Sequence, residues 1–298
     1  MGSYWWYITV LSRGMVASQE CEEILYSAAE ISGSIGTEVQ ELPDGTRMRI
    51  YYRSDEDLSY WRNRLLDALA PWPEIRIEDM GRIENQPWSS QSEDAFPPLE
   101  VGETLVVLAP WHRDKAPKDR IPLYINPGSA FGTGYHESTQ VVLQLLESHF
   151  ADVARDGGCV GDVIDVGTGS GILTIAAIKL GAGRAVSRDL DPAVLGEVRN
   201  NIALNDVDMD KVTLEVGDLL SDVGDGFDLV LANILIDPLV QMLPDVRKVL
   251  RPGAVAIFSG MIEREREDFL AALEGVEMTV LRELQREDWW GVSAQNPA

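Results

Sequence analysis

The sequence predicts a doubly wound α/β domain preceded by a small α+β domain, and three features of the chain lead to this prediction. From Val163 to the C-terminus, short apolar segments alternate with helical segments, the pattern of a sheet with helices on both faces. A glycine-rich turn over residues 165–171 connects one strand to a helix. The first 80 residues instead give the order strand, helix, strand, strand, helix, strand. A length of 298 residues is enough for about two domains, each with its own core.

The N-terminal elements match a ferredoxin-like domain with the order βαββαβ. Aromatic and β-branched residues favour the first strand, and Ser18 can cap the first helix. The turn Pro43-Asp44-Gly45 joins the second strand to the third. The predicted strands are residues 4–12, 35–42, 47–53 and 74–80, and the predicted helices are residues 18–31 and 55–69.

A polar stretch over residues 84–98 separates the two predicted domains. Its large apolar residues, Trp88 and Phe96, are expected to pack against a neighbouring domain, because aromatic residues in linkers usually do so. We therefore assign residues 1–83 to the ferredoxin-like domain, residues 84–98 to the linker and residues 99–298 to the larger domain.

The larger domain is predicted from strands that alternate with helices and from a closing antiparallel pair of strands at its end. The predicted strands are residues 105–108, 121–125, 163–166, 184–190, 212–216, 227–235, 254–260, 278–283 and 289–294, and the predicted helices are residues 138–150, 172–180, 192–204, 239–250 and 263–274.

The turn that begins at Asp165 is predicted to bind a polar ligand. Gly167, Gly169 and Gly171 have no Cβ atoms to hold a ligand away, and the N-terminus of the helix behind them offers free N–H groups. A nicotinamide fingerprint would need its third glycine at position 172, which is Ile172. The order acid, x, Gly, x, Gly, x, Gly instead resembles the S-adenosylmethionine loop of Rossmann-like methyltransferases.

Two further acids follow strands of the same domain. Asp189 ends the next predicted strand, where a carboxylate can accept hydrogen bonds from both hydroxyls of a ribose. Asp218 follows the strand after that, at a position where methyltransferases often place a polar contact to the adenine. Ordinary turn chemistry explains the Gly-Asp pair at this position equally well.

A second glycine-rich segment precedes the helix predicted at residues 138–150. It reads Ala-Phe-Gly-Thr-Gly-x-His over residues 130–136 and is followed by Thr139. A turn between domains, capped by Ser138 or Thr139, would also account for it. The motif resembles the signature loop of the bacterial methyltransferases of large-subunit ribosomal protein eleven, the PrmA family. The resemblance implies that this loop closes over S-adenosylmethionine, and it places Phe131, Gly134, His136 and Thr139 among the cofactor-binding residues.

Asn233 is the predicted catalytic residue and an additional cofactor contact. It ends the apolar strand at residues 227–235, at the edge where α/β sheets bind ligands. We expect its side chain or neighbouring carbonyls to accept a hydrogen bond from an incoming amine. The segment Ala-Asn-Ile-Leu-x-x-Pro-Leu resembles the same family. Ile236 and Asp237 stand where small residues are expected, which leaves the shape of the substrate channel open.

The resemblance implies a function. The protein would transfer methyl groups from S-adenosylmethionine to lysine ε-amines and the N-terminal amine of a ribosomal protein, and the small N-terminal domain would recognise that substrate. The reaction needs no metal, and three histidines without companion ligands make a metal site improbable on composition alone.

The charge of the chain narrows its possible partners. A net charge of −24, with 49 acids spread along the chain, repels nucleic-acid phosphates. Only five of the 25 basic residues are lysines, which favours an acidic coat suited to a high-salt cytoplasm over a surface for a cationic partner. No apolar run of about 18 residues is present. We expect a cytoplasmic monomer without direct contacts to nucleic acid or membrane.

Three alternatives remain open from the sequence. The acceptor could be another protein lysine or a small-molecule amine. The chain could also be a non-catalytic protein that binds S-adenosylmethionine. A dehydrogenase is the third alternative, and Ile172 already argues against it.

Overall fold

The computed structural model describes residues 4–13, 18–34, 36–42, 45–53, 56–84, 96–127, 132 and 134–297. The chain forms two compact units, Met1–Ser92 and Glu93–Ala298. Pro43, Asp44, Trp88 and the side chain of Ser18, to which the sequence assigned local roles, lie outside the described part.

The N-terminal unit is the predicted ferredoxin-like fold. Its antiparallel sheet has the order β2-β3-β1-β4. One core joins the sheet to the helices, with Ile8 and Ile50 from the strands packed with Leu25 and Leu65 from the helices. The elements are β1 (Tyr4–Arg13), α1 (Ser18–Ser32), β2 (Gly36–Leu42), β3 (Gly45–Tyr52), α2 (Leu58–Ala68) and β4 (Ile75–Glu84).

The second helix begins three residues later than the sequence predicted. Asp57 caps it, because the Asp57 carboxylate accepts hydrogen bonds from the backbone N–H groups of Ser59 and Tyr60, at 2.9 and 3.1 Å. A capping acid two residues beyond Asp55 was the better signal for this helix start.

The C-terminal unit is the predicted doubly wound domain. A six-residue 3-10 helix, Pro110–Lys115, accompanies its strands and α-helices. Those elements are β5 (Leu99–Val101), β6 (Leu105–Leu108), β7 (Ile121–Tyr124), α3 (Glu137–Arg155), β8 (Asp162–Val166), α4 (Ile172–Leu180), β9 (Arg184–Asp189), α5 (Val194–Leu204), β10 (Val212–Val216), β11 (Phe227–Asn233), α6 (Ile236–Val249), β12 (Leu250–Ile262), α7 (Arg266–Gly275), β13 (Thr279–Arg286) and β14 (Trp289–Gln295).

The main sheet has seven strands in the order β10-β9-β8-β11-β12-β14-β13. The first five run parallel, and β14 lies antiparallel to both β12 and β13. The strand order reverses between β8 and β11, and such a switch point opens a crevice at the carboxyl ends of the strands. Adjacent residues of β8 serve two cores, since Val163 packs with α4 and α5 while Ile164 packs with α6 and α7. Helices therefore cover both faces of the sheet.

Several element boundaries differ from the predictions. The N-cap of α3 is His136, not Ser138 or Thr139, because the ring nitrogen Nδ1 of His136 accepts from the backbone N–H of Ser138. Helix α6 starts three residues early, with Pro238 in its first turn, where the missing N–H of proline costs no hydrogen bond. Strand β12 begins at Leu250 and includes the segment Arg251-Pro252-Gly253, which lies between the helix predicted at residues 239–250 and the strand predicted at residues 254–260.

Phe96, the described aromatic of the predicted linker, packs within the C-terminal unit. Its ring makes edge-to-face contacts with Trp111 and Tyr135, at centroid distances of 6.4 and 5.3 Å. The Tyr135 hydroxyl donates to the carbonyl of Pro97 at 2.6 Å. The prediction that Phe96 packs against residues of the larger domain is confirmed. In the described part of the chain, no helix is long and apolar enough to cross a membrane.

Candidate functional site

The glycine turn between β8 and α4 has a backbone that other residues adopt poorly. Gly167, Gly169 and Gly171 have φ angles of 68°, 53° and 80°, in the left-handed region. A Cβ atom on Gly167 would lie 2.5 Å from Cγ2 of Ile234. Glycine at this position therefore allows both the turn and the close approach of the strand end that carries Ile234.

The side chain of Asp165 stabilises this turn through hydrogen bonds. Its Oδ2 atom accepts from the Thr168 hydroxyl at 2.7 Å, and from the hydroxyl and backbone N–H of Thr174 at 2.8 and 3.1 Å. Its complete burial raises the pKa of the carboxyl to about 6, against the lowering effect of these hydrogen bonds. Asp165, predicted to bind the cofactor, therefore contacts the loop itself. It does not line the cavity described below.

Asp189 lies at the carboxyl end of β9, and both of its carboxylate oxygens face backbone donors. Oδ2 accepts from the N–H of Gly169 and Oδ1 accepts from the N–H of Asp191, each at 3.1 Å. A carboxylate offers about four acceptor positions, so roughly two remain for ligand hydroxyls. The side chain is thereby fixed in orientation while it keeps acceptor capacity.

The second glycine-rich segment packs against the first. The Ser170 hydroxyl donates to the carbonyl of Gly132. A Cβ atom on Gly134 would lie 2.8 Å from Cδ1 of Ile172, in the first turn of α4. The imidazole of His136 makes an edge-to-face contact with Trp289 at a centroid distance of 4.5 Å. Phe131, which the resemblance placed in this site, lies outside the described residues.

Asn233 ends β11, beside the end of β8. Its Nδ2 atom donates to the hydroxyl of the buried Thr139, in the first turn of α3, at 3.2 Å. Its Oδ1 atom is buried and has no hydrogen-bond partner in the described part of the chain. The Thr139 hydroxyl fixes the orientation of the amide and leaves the acceptor oxygen without a described partner, an unusual state for a buried polar atom.

A cavity of about 670 Å³ lies at the carboxyl ends of these strands. It brings together six of the residues predicted from the sequence: His136, Gly167, Gly169, Asp189, Asp218 and Asn233. Gly134, Thr139, Asp165 and Gly171 are not among its lining residues. Of these, Thr139 accepts a hydrogen bond from the lining residue Asn233, and Asp165 accepts one from Thr168, which lies between the lining residues Gly167 and Gly169.

The cavity also has a lining that the sequence did not reveal. Gly260, at φ 92°, sits so close to β11 that a Cβ atom would lie 2.3 Å from the carbonyl oxygen of Ile234. A glycine at the end of a buried strand was the available signal for it. Nothing in the sequence pointed to Trp289. The remaining described lining residues are Ser138, Val166, Leu190, Val194, Gly217, Leu219, Ile234, Leu235, Pro238 and Gln241.

The donors and shape of this cavity fit S-adenosylmethionine. A glycine turn gives bare backbone, the Asp189 carboxylate keeps free acceptor positions for ribose hydroxyls, and apolar side chains such as Leu190 and Ile234 offer surface for an adenine ring. None of the described lining residues is Lys or Arg, so no fixed cation opposes a sulfonium. With the seven-stranded sheet, this site defines a Rossmann-like methyltransferase whose cofactor is S-adenosylmethionine.

Comparison with known proteins specifies the family. The sequence profile of the family "Ribosomal protein L11 methyltransferase (PrmA)" matches residues 9–297, and the chain belongs to this family. A ribosomal protein L11 methyltransferase of Pelobacter propionicus is 36% identical over 252 residues, which cover 82% of this chain and 79% of the relative. One from Chromohalobacter salexigens is 35% identical over 238 residues, covering 80% and 75%.

A solved structure agrees with this assignment. The crystal structure of a ribosomal protein L11 methylase from Lactobacillus delbrueckii subsp. bulgaricus has 30% sequence identity and a TM-score of 0.61. The match covers 68% of this chain and 100% of that chain.

Proposed function

We propose that this protein transfers methyl groups from S-adenosylmethionine to amines of ribosomal protein L11, namely lysine ε-amines and the N-terminal α-amine. Membership of the PrmA family and the names of its relatives support the substrate. One structural observation supports the amine acceptor most strongly. The Oδ1 atom of Asn233 is a buried, unpartnered hydrogen-bond acceptor on a residue that lines the cavity.

The cofactor residues have distinct roles in this proposal. Gly167 and Gly169 present bare backbone, Asp189 accepts from the ribose hydroxyls, and Asp218 provides a polar contact at the adenine end. Gly171, Gly134 and Asp165 keep the two loops in shape, and His136 closes the other side of the cavity. When bound, S-adenosylmethionine supplies an electrophilic methyl group on a sulfonium sulfur.

Asn233 orients the acceptor. A lysine amine has a reference pKa of about 10.4 and must be neutral to act as a nucleophile. The apolar lining, which includes Ile234 and Leu235, favours the neutral amine over the ammonium. An N–H of the amine then donates to Oδ1 of Asn233, which directs the nitrogen lone pair into the cavity. An amide is too weak a base to take the proton, so the ammonium loses it to water before it is enclosed.

The N-terminal unit is proposed to recognise the protein substrate. Its partly exposed sheet residues include arginine and tyrosine side chains of the kind enriched at protein interfaces, such as Arg47, which forms a bidentate pair with Glu78, and Tyr51, which donates to Glu38. The net charge of −24 argues against nucleic acid as the partner. Such a substrate places the reaction in the cytoplasm.

The test is incubation with S-adenosylmethionine labelled in its methyl group and ribosomal proteins from cells deficient in methylation, followed by mass spectrometry. We expect label on L11, at lysine side chains and the N-terminal amine. Label on a different protein or on a small amine would contradict the acceptor assignment. Cofactor binding without any labelled product would indicate a non-catalytic binding protein.

A second experiment separates protein from small-molecule acceptors. Replacement of residues 1–85 by an unrelated domain of similar size is expected to abolish methylation of L11 while the affinity for the cofactor stays within about threefold of the original. An enzyme for a small amine would keep its turnover after this exchange.

A further inference from the structure

Arg188 is a charged residue in the interior of the main sheet. It precedes Asp189 on β9 and is only 7% exposed. Arginine is almost never buried unless its charge is paired and its N–H groups are hydrogen-bonded. The contacts of Arg188 are therefore informative about what it holds in place.

The guanidinium of Arg188 contacts β10 and the loop after it. One terminal nitrogen donates to the carbonyl of Ser221 at 2.6 Å, and the other donates to the Glu215 carboxylate at 3.0 Å. The plane of the guanidinium lies directly against Gly217, where a Cβ atom would come within 2.1 Å of Cζ. Nε is buried and has no partner among the described residues. The guanidinium thus supports the segment 217–221 at both ends.

The backbone of the same residue holds the other loop. The carbonyl oxygen of Arg188 accepts from the N–H groups of Gly167 and Thr168, at 2.9 and 3.1 Å. The next residue repeats this connection, because the carbonyl of Asp189 accepts from the N–H of Gly217 at 2.9 Å and its carboxylate accepts from Gly169. Arg188 and Asp189 therefore tie together the two loops on either side of the cavity.

We infer that Arg188 is a positioning residue for the cofactor, which sets the distance between the glycine turn and the segment 217–221 by packing its guanidinium under Gly217. This inference rests on the proposed function, in which the Asp189 and Asp218 end of the cavity receives the adenosine. Arg188 does not line the cavity and acts through Gly217 and Asp218, which do. Its planar group is suited to this task, since a lysine ammonium would leave the surface under Gly217 unfilled.

A double-mutant cycle tests the contact. Arg188→Ala should weaken binding of S-adenosylhomocysteine by about tenfold, because the segment 217–221 loses its support. Gly217→Ala should weaken it by a similar factor of about ten, because the new methyl group displaces the guanidinium or the loop. In the double variant the methyl group occupies vacated space, so binding should be no more than about threefold weaker than in Arg188→Ala alone. Multiplicative losses, of about a hundredfold together, would overturn the inference.

The controls separate positioning from general stability. Arg184→Ala removes an exposed arginine of the same strand, paired with Asp162 at 2.8 Å, and should leave cofactor affinity within about twofold. For Arg188→Ala, 5′-methylthioadenosine should lose affinity by the same factor as S-adenosylhomocysteine, because the loss concerns the nucleoside end. The turnover number at saturating cofactor should stay within about threefold of that of the original protein. A fall in turnover equal to the loss of affinity would contradict a positioning role.

If Arg188→Ala does not fold, the same cycle with Arg188→Lys decides the question. Lysine keeps the charge but not the plane, so we expect weaker binding by about threefold and a reduced additional cost of Gly217→Ala. Unchanged binding in Arg188→Lys with the full cost of Gly217→Ala would overturn the inference. Failure of the unmodified protein to bind S-adenosylhomocysteine would instead contradict the proposed function.

Discussion

The two ends of the cavity are built in different ways. At the Asp189 end, the shape is fixed by backbone groups and buried polar side chains, with Gly169 and Asp191 donating to Asp189 and three hydrogen bonds converging on Oδ2 of Asp165. At the Asn233 end, one hydrogen bond of 3.2 Å to Thr139 orients the amide, and its acceptor oxygen has no described partner. Oδ1 of Asp165 and Nε of Arg188 are also buried without a described partner, but of these three residues only Asn233 lines the cavity.

We interpret this difference between the two ends as a division between cofactor binding at the Asp189 end and reaction with the acceptor at the Asn233 end. A ligand gains most from a site whose donors and acceptors are already in place, because little ordering is then required on binding. A group that acts on a second substrate must instead keep a position free until that substrate arrives. An unsatisfied buried polar atom costs stability, and in native proteins such atoms are concentrated at functional sites. The following predictions test whether the two ends can be altered independently.

The largest effect on cofactor affinity is expected from Gly167→Ala at the Asp189 end of the cavity. The new Cβ atom would lie 2.5 Å from Ile234 and the backbone would be held at φ 68°, so we expect at least about a hundredfold loss of affinity for S-adenosylhomocysteine by calorimetry. Gly157→Ala is the matched control, since Gly157 has φ 75° and no neighbour within 4 Å of a Cβ atom. Equal losses in both variants would show that steric contact at the cavity is unimportant.

Asp189→Asn should weaken cofactor binding by about thirtyfold. The amide keeps one acceptor oxygen but places an NH₂ group opposite a backbone N–H that Asp189 now accepts from. Asp191→Asn is the control, because the Asp191 carboxylate accepts only from the local backbone N–H of Ala193 in the described structure. Turnover at saturating cofactor should change little in Asp189→Asn. A loss of turnover as large as the loss of affinity would contradict the proposal that the Asp189 end serves cofactor binding and the Asn233 end serves the reaction.

The burial of Asp165, beside the Asp189 end of the cavity, lowers the unfolding free energy of the protein by an amount that depends on pH. Burial raises its pKa in the folded state to about 6 from 3.8, so the folded state holds the proton more tightly than the unfolded chain. Its stabilising contribution is complete below pH 3.8 and is lost as pH rises to about 6. Relative to Asp165→Asn, the original protein should lose about 1 kcal/mol of unfolding free energy between pH 5 and pH 7. A constant difference between the two proteins, measured by denaturant unfolding, would contradict this.

The smallest effect is expected from Tyr135→Phe, which removes the hydroxyl that donates to Pro97 at 2.6 Å. The ring keeps its contact with Phe96, so the loss in unfolding free energy should be about 1 kcal/mol and cofactor affinity should change by less than about threefold. Tyr60→Phe, at an exposed tyrosine of the N-terminal unit, is the control. A larger loss of cofactor affinity would show that the hydrogen bond between Tyr135 and Pro97, outside the cavity, also positions the cofactor-binding segment before Thr139.

Much of the fold was predictable because local patterns and tertiary structure agree. Apolar segments that alternate with helical segments predicted most strands of the four-stranded and seven-stranded sheets. Gly167, Asp189 and Asn233 were singled out because each lies at or beside the carboxyl end of a predicted strand. Some of the boundaries that failed depend on long-range contacts. Residues 250–253 extend β12 despite a Pro-Gly pair, and Leu99–Val101 pairs antiparallel with β6 over only three residues. Such short or interrupted strands have no local periodicity to detect.

The site was less predictable than the fold. Trp289 and Gly260 lie far along the chain from the glycine turn and reach the cavity only through the antiparallel strand β14 and the end of β12. Arg188 looked like an ordinary polar residue of a strand, and its role appears only when Gly217 is placed against its guanidinium. Asp165 was expected to contact the cofactor, and its observed contacts are with Thr168 and Thr174.

The central claim, that Asn233 acts on the acceptor and not mainly on cofactor binding, is tested most directly by Asn233→Ala. The methyl-transfer rate in a single turnover, with saturating cofactor and ribosomal protein L11, should fall by about a hundredfold, while affinity for S-adenosylhomocysteine should change by less than about threefold. Thr139→Val, which frees the Asn233 amide, should show the same pattern with a smaller loss. Near-normal transfer in Asn233→Ala, or a loss of affinity as large as the loss of rate, would contradict the account.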